Sequence, residues 1–310
     1  MQVLYALESL RMPGLNECML LITRLGEETA FLVAALVVFW CVDKRRGYYV
    51  MAVGFLGTLA SQFLKLACRI PRPWVLDPDF SILEQAREAA AGYSFPSGHS
   101  QNAVGTFGAI ACTAKHSVTK WLCVAVCILV PFSRMYVGVH TPADVLAGSG
   151  LALVLVFTLR KPVCRGETMP FLIGGMVLAA AALLAYVTFW PFPENMDVHN
   201  LQSGMKNAYT MLGCLAGVAL VYPLERKYVN FTTKACWYAQ ILKILGGLAA
   251  VLAVKEGLRT PLEALFAGHL AARSLRYFGI VVTAGLLWPM TFRWFSKIGV
   301  KNELRDHQKL

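Results

Sequence analysis

The sequence predicts an all-α protein, a polytopic transmembrane helical bundle of about nine spans. Three observations lead there. The 310 residues are 57% hydrophobic and only 15% charged, whereas soluble domains are about 45–50% apolar and about 25% charged. Phe171–Trp190 is an apolar run of the length a helix needs, roughly 20 residues, to cross a bilayer core. The charges gather in short clusters between such runs rather than along one helical face.

Taken in order, the runs give segments at 27–42, 48–68, 100–115, 121–134, 143–160, 169–190, 205–223, 237–254 and 277–296. Residues 1–26 read as an N-terminal interfacial segment, because Leu15–Leu25 is amphipathic. Residues 27–168 then form a core carrying the chemical motifs, and 169–310 add further helices and a basic cytoplasmic tail. The stretch 191–204 is the one polar break in the second half.

The formal net charge of +11 does not point to nucleic acid, since the cations follow the loops. Lys44, Arg45, Arg46, Lys115, Lys120, Arg160, Lys161, Arg165, Arg226, Lys227, Lys234, Arg293, Lys297, Lys301, Arg305 and Lys309 fall on one side of the predicted membrane. The positive-inside rule makes that side, and the C-terminus, cytoplasmic. Anionic membrane lipids are the natural partners of those loops. Lys255, Arg259, Arg273 and Arg276 fall on the other side and run against the assignment. The nine cysteines lie mostly in apolar runs, where they behave as small hydrophobes, and show no CxxC metal-ligand spacing. No cofactor is expected.

Three blocks carry the chemistry, and the predicted topology brings all of them out on the non-cytoplasmic face. They are Lys65…Arg72-Pro73, Phe95-Pro96-Ser97-Gly98-His99-Ser100, and Ser133-Arg134…His140…Asp144. Lys65, Arg72 and Arg134 suit an anion: the arginine fork matches phosphate oxygens in pairs, and lysine acts as a point charge. Ser97 and Gly98 open a helix whose free N–H groups bind anions. Asp144, four residues after His140, is spaced to share a face with it and orient the imidazole as nucleophile. His99 is left to protonate the leaving alkoxide.

The same residues resemble the three signatures of the type 2 phosphatidic acid phosphatase superfamily: Lys-x6-Arg-Pro, Pro-Ser-Gly-His and Ser-Arg-x5-His-x3-Asp. The resemblance covers about residues 48–160 and matches every signature position, in order. It implies the superfamily's helical core, an integral membrane phosphoric monoester hydrolase, a histidine nucleophile at His140 and no metal. The expected substrate is a lipid phosphate (phosphatidate, a sphingoid-base phosphate or a polyprenyl phosphate). A sugar-phosphate phosphatase of glucose-6-phosphatase type is the alternative, suggested by the segment count and by Arg72–Asp79. A phosphotransferase on the same scaffold is a further one.

Each feature also has a plainer reading. Lys65 and Arg134 near helix ends suit snorkelling to the interface, and Asp144 suits a helix cap. Asp77 and Asp79 read as turn formers rather than metal ligands. Lys243 falls deep inside a predicted span, which suggests a misplaced boundary or snorkelling. Phe80–Ala91 reads as a short amphipathic helix over the site. The sequon at Asn230 lies on the predicted cytoplasmic side and is discounted.

Overall fold

The computed structural model describes residues 1–87, 90–166, 168–193 and 196–298. The basic tail residues Lys301, Arg305 and Lys309 lie outside it. The chain is all-α, with no strand among the described residues. Two short helices, α1 (Gln2–Glu8) and α2 (Pro13–Thr23), precede α3 (Glu28–Val37). Pro13–Gly26 and Glu28–Val42 meet at a 57° bend, so this pair is either one broken span or a re-entrant turn.

The long helix α4 (Lys44–Cys68) starts where Asp43 accepts from the Arg46 N–H at 2.9 Å. It ends at Arg69, whose φ is 52°, just before Ile70-Pro71, where proline forbids continuation. A single turn, α5 (Pro73–Leu76), follows. Then come α6 (Gly98–Thr113), α7 (Ser117–Tyr136), α8 (Pro142–Arg165), α9 (Met169–Phe189), α10 (Val198–Leu224), α11 (Trp237–Gly257), α12 (Arg259–Leu265), α13 (Ala271–Val282) and α14 (Phe292–Phe295).

Seven helices are long and apolar enough to cross a bilayer, or eight if the bent pair is one span. Nine is therefore not the number that length and apolarity give. The segment expected at 100–115 is α6, 16 residues and about 24 Å long, against a hydrocarbon core of about 30 Å. It packs among α4, α7 and α8, so its polar residues Ser100, Gln101, Asn102 and Thr106 are buried in protein instead of facing lipid. The helices approach closely through glycine. A Cβ at Gly57 of α4 would overlap the Gln101 amide, and one at Gly148 of α8 would overlap the Ser97 carbonyl oxygen.

Three further expectations are corrected. The polar stretch 191–204 is only partly a break, because α10 begins at Val198, with Asp197 capping the His199 and Asn200 N–H groups. Phe80–Ala91 forms a single 3-10 turn at Glu84–Ala86; Glu88 of that expected helix lies outside the described residues. Lys243 does not snorkel. It is buried within α11, donates to the Thr232 and Thr233 carbonyls at 3.4 and 3.3 Å, and sits 4.7 Å from the Phe292 ring centroid. A buried ammonium needs such partners.

The core runs along α4 and α10, from Phe39, Trp40 and Tyr49 through Leu215 and Val218 to Phe292. At the end of the bundle remote from the motifs, Lys44 Nζ bonds Glu225 Oε1 at 2.9 Å, with Glu225 fully buried, and Asn230 Oδ1 at 3.0 Å. At the other end all three motif blocks meet.

Candidate active site

Helix ends build the site. Lys65 lies in the last turn of α4, His99 in the first turn of α6, Arg134 in the last turn of α7 and Asp144 in the first turn of α8. His140 lies in the turn between α7 and α8. Gly138, at φ +87°, reverses the chain there; a side chain would also press on Arg11 and Phe80. The Val139 N–H bonds the Arg134 carbonyl at 3.2 Å, so the reversal that positions His140 is anchored to the Arg134 backbone.

A cavity of about 810 Å³ is lined by Lys65, Arg72, Gly98, His99, Arg134 and His140, together with Glu27, Gln62, Asn102, Ser203 and Asn207. Ser97 and Asp144 are buried behind it. All eight predicted residues thus lie in the wall or directly behind it, although three separate stretches of chain supply them.

Their bonds assign distinct positions. Arg72 Nε donates to the Gly92 carbonyl, Nη2 to Ala91, and Nη1 to Val139, each at 3.0 Å. Nη1 also donates to His140 Nε2 at 2.9 Å. The fork that the sequence suggested for phosphate is therefore largely held by backbone. Lys65 Nζ bonds the Tyr93 carbonyl. Arg134 is fully buried rather than snorkelled; Nη1 donates to Thr23 Oγ1 at 2.7 Å, while Nε and Nη2 have no protein partner. His99 Nε2 is likewise buried and unpartnered. The two free guanidinium donors of Arg134 call for an acceptor, and His99 Nε2 for a partner of either kind. At the start of α6, Ser97 caps the Ser100 N–H, which leaves the Gly98 and His99 amides without intrahelical acceptors.

Asp144 fills two roles at once. With Thr141 it forms a capping box, its Oδ2 accepting from the Thr141 N–H at 2.7 Å. The same oxygen accepts from Ser94 Oγ at 2.7 Å and lies 3.6 Å from His140 Nδ1, too far for a hydrogen bond. Ser94 Oγ in turn is 3.4 Å from Nδ1. The Asp144 carbonyl accepts from the Ser97 N–H at 2.9 Å, joining the second and third blocks through main chain. Burial, reinforced by Arg72, Arg134, Lys65 and His99, holds the His140 imidazole well below the usual histidine range, so its neutral form prevails.

Sequence reading missed Ser94, Thr23 and the polar face of α10. Asn200, Ser203 and Asn207 recur at helical spacing, a signal hidden because the segment read as a break. Asp77 and Asp79 form a turn, the Asp79 N–H meeting Asp77 Oδ1 at 3.3 Å. Among the described residues no group of three or more His, Cys, Asp or Glu side chains is placed to hold a metal ion.

Residues 45–163 match the sequence model of the PAP2 superfamily, and residues 209–301 match the model of the transmembrane extension of PAP2 superfamily phosphatases. Phosphatidylglycerophosphatase B of Bacillus subtilis (strain 168) is 32% identical over 163 residues, covering 49% of this chain and 76% of its own length. Undecaprenyl-diphosphatase BcrC of the same organism is 29% identical over 41% of this chain and 64% of its own. A probable sphingosine-1-phosphate phosphatase of Dictyostelium discoideum is 26% identical over 63% of this chain and 49% of its own. No solved structure matches. With the motifs assembled at one end of an all-α membrane bundle and both models matched in order, the chain belongs to the PAP2 superfamily of membrane phosphatases.

Proposed function

We propose that the protein hydrolyses the phosphate monoester of a membrane lipid through a phosphohistidine, without a metal ion, at the non-cytoplasmic leaflet. One observation carries the reading: the unpartnered buried guanidinium donors of Arg134 and the unpartnered His99 Nε2 border the same cavity as the His140 imidazole and the Lys65 and Arg72 cations. Such an array suits a group with several acceptor oxygens and developing negative charge.

Nη1 of Arg72 transfers its hydrogen bond from His140 Nε2 to a phosphate oxygen, which frees the nitrogen lone pair. Nε2 attacks phosphorus; the N–P bond forms as the P–O bond to the lipid breaks. His99 gives its proton to the departing alkoxide. Water then attacks the phosphohistidine, His99 takes the proton, and the N–P bond breaks to release phosphate and restore His140. Asp144, partly through Ser94, holds the ring and stabilises the charge it gains. Arg134, Lys65 and the Gly98–His99 amides hold the phosphoryl oxygens throughout.

The lipid preference is supported by relatives whose names specify phosphatidylglycerophosphate, undecaprenyl diphosphate and sphingosine 1-phosphate. The leaflet is supported by the charge pattern, since the cation-rich loops lie at the end of the bundle remote from the cavity. Cations at the cavity end are partly neutralised: Arg259 and Arg276 lie 3.5 and 3.9 Å from Glu263.

The test is phosphate release by the purified protein from phosphatidate, a sphingoid-base phosphate, a polyprenyl phosphate and glucose 6-phosphate. Brief exposure to labelled substrate should leave an acid-labile phosphoryl group on the wild type and none on His140→Ala, whose turnover should fall about 10⁴-fold. Near-normal turnover by that variant would reject the mechanism, and glucose 6-phosphate as the preferred substrate would reject the lipid reading.

A further inference from the structure

Lys255, Arg259, Arg273 and Arg276 run against the charge pattern of the chain, and none of them lines the catalytic cavity. Three of the four gather with Lys206 around a separate pocket of about 400 Å³ between α10, α12 and α13. Its lining shares no residue with the catalytic cavity: on α10, Ser203 and Asn207 line the cavity and Lys206 the pocket. Local packing makes it. Ala267 and Gly268, at φ 48° and 77°, turn the chain between α12 and α13. α13 then lies close along α10, where a Cβ at Gly213 would overlap the Ser274 carbonyl and Ser274 Oγ donates to the Tyr209 carbonyl at 2.6 Å. The His269 ring meets Tyr209 edge-on, centroids 5.9 Å apart. Arg273 and Arg276, three residues apart on α13, share a face and reach the pocket together.

Snorkelling, which gives a charged head to water, does not describe these arginines. The Arg276 side chain is only 11% exposed, and its Nε is buried without a partner. Arg273 Nε donates to Thr210 Oγ1 at 2.6 Å; its two terminal nitrogens, like Lys206 Nζ, have no hydrogen-bond partner among the described residues. Donors so placed call for an acceptor. Glu263 is the one carboxylate among the described lining residues, and it is shared by Arg259 at 3.5 Å and Arg276 at 3.9 Å. Four cations against one carboxylate leave the pocket with surplus positive charge. The group that suits it is a phosphate, since arginine forks pair with its oxygens and lysine adds a point charge. The volume would hold about a dozen waters, enough for a phosphate and a polar neighbour. Cleavage is another matter: His269 Nδ1 accepts from the Ala271 N–H at 3.1 Å, and no carboxylate orients the ring.

We propose that the pocket between α10, α12 and α13 is a second phosphate site, which holds the phosphate of an anionic membrane lipid, or the free ion, without cleaving it. The proposal does not depend on the reaction at His140. It gives a task to the transmembrane extension, residues 209–301, which carries none of the three motifs yet supplies Arg259, Arg273 and Arg276. Leu265 of α12 and Leu275 of α13 are exposed, so the helices that bear these cations also offer apolar surface to lipid chains.

The experiment reads binding to the full-length protein, to Lys206→Gln/Arg276→Gln and to Lys255→Gln. Lys255 is a cation of the same end that does not line the pocket, so its variant controls for bulk charge. Neither Lys206 nor Arg276 makes a hydrogen bond within the described protein, so the double variant should melt like the wild type; should it fail to fold, Lys206→Gln alone replaces it. The probes are phosphatidylglycerol, phosphatidylcholine, whose phosphate is offset by its own ammonium, and labelled inorganic phosphate. Lipid adducts are counted by native mass spectrometry and the ion by equilibrium dialysis. The double variant should bind phosphatidylglycerol at least tenfold more weakly, with phosphatidylcholine unchanged and Lys255→Gln like the wild type; that result identifies a lipid phosphate. The same loss confined to inorganic phosphate identifies the free ion. No loss on either probe, or an equal loss in Lys255→Gln, overturns the proposal. Turnover separates the two sites: kcat/KM for dibutyryl phosphatidate should stay within twofold of wild type, and a tenfold fall would merge the pocket with the catalytic cavity and overturn the second site.

Discussion

The hydroxyl of Ser94 stands between the two residues that the mechanism couples most closely. It bonds Asp144 Oδ2 at 2.7 Å and lies 3.4 Å from His140 Nδ1, where the carboxylate itself is 3.6 Å away. Losing one hydrogen bond to a charged group should lower kcat roughly tenfold, so Ser94→Ala should show that fall at unchanged KM, with Ser94→Thr restoring most of it. Equal losses in both variants would mean that Ser94 only packs. His140 makes a second prediction, through pH. Burial and the neighbouring cations hold its imidazole below the ordinary histidine value, about 6.5. A nucleophile with a lowered pKa remains neutral, and so active, to lower pH; the acidic limb of kcat/KM should therefore lie below that value. Arg72→Gln removes a cation, raises the pKa of His140, and should move the limb to higher pH by up to about one unit, besides weakening turnover. An unmoved limb would show that Arg72 does not act on His140 electrostatically.

At the scale of elements, the motif-bearing half was largely legible in the sequence, because its signals are local. Asp43, Ser97 and Thr141 accept at helix starts, and apolar runs locate α7, α8 and α9. Reading was harder where a helix is polar for reasons that only packing reveals. α6, 16 residues long, buries its polar face against α4 and α8. The polar first turns of α10 looked like a linker because Asn200, Ser203 and Asn207 face a cavity that no single segment encodes. Ser94 and Thr23 were invisible for a similar reason: each acts on a residue distant in sequence, 50 positions away for Ser94 and Asp144 and 111 for Thr23 and Arg134. Contact between helices is testable at Gly148, where a Cβ would overlap the Ser97 carbonyl and push α8 from the start of α6. Gly148→Val should cost about 1–3 kcal/mol of stability and most of the activity. Gly150, with open space beside it, provides the control: Gly150→Val should melt and turn over like the wild type.

Over the whole molecule, a buried ion pair joins the core to the extension at the end away from the chemistry. Lys44 at the start of α4 grips the buried Glu225 just past α10, and within the extension Lys243 ties α11 to the loop at Thr232 and Thr233. Removing one member of a buried pair strands the other charge, so Lys44→Met should lower stability by about 3–5 kcal/mol, and adding Glu225→Leu should recover much of it. A double variant as unstable as the single one would show that packing, not charge, makes the joint. The bundle is thus braced at its basic end, where a charge buried in protein holds the start of α4 against the end of α10, while the cation-lined cavity occupies the opposite end.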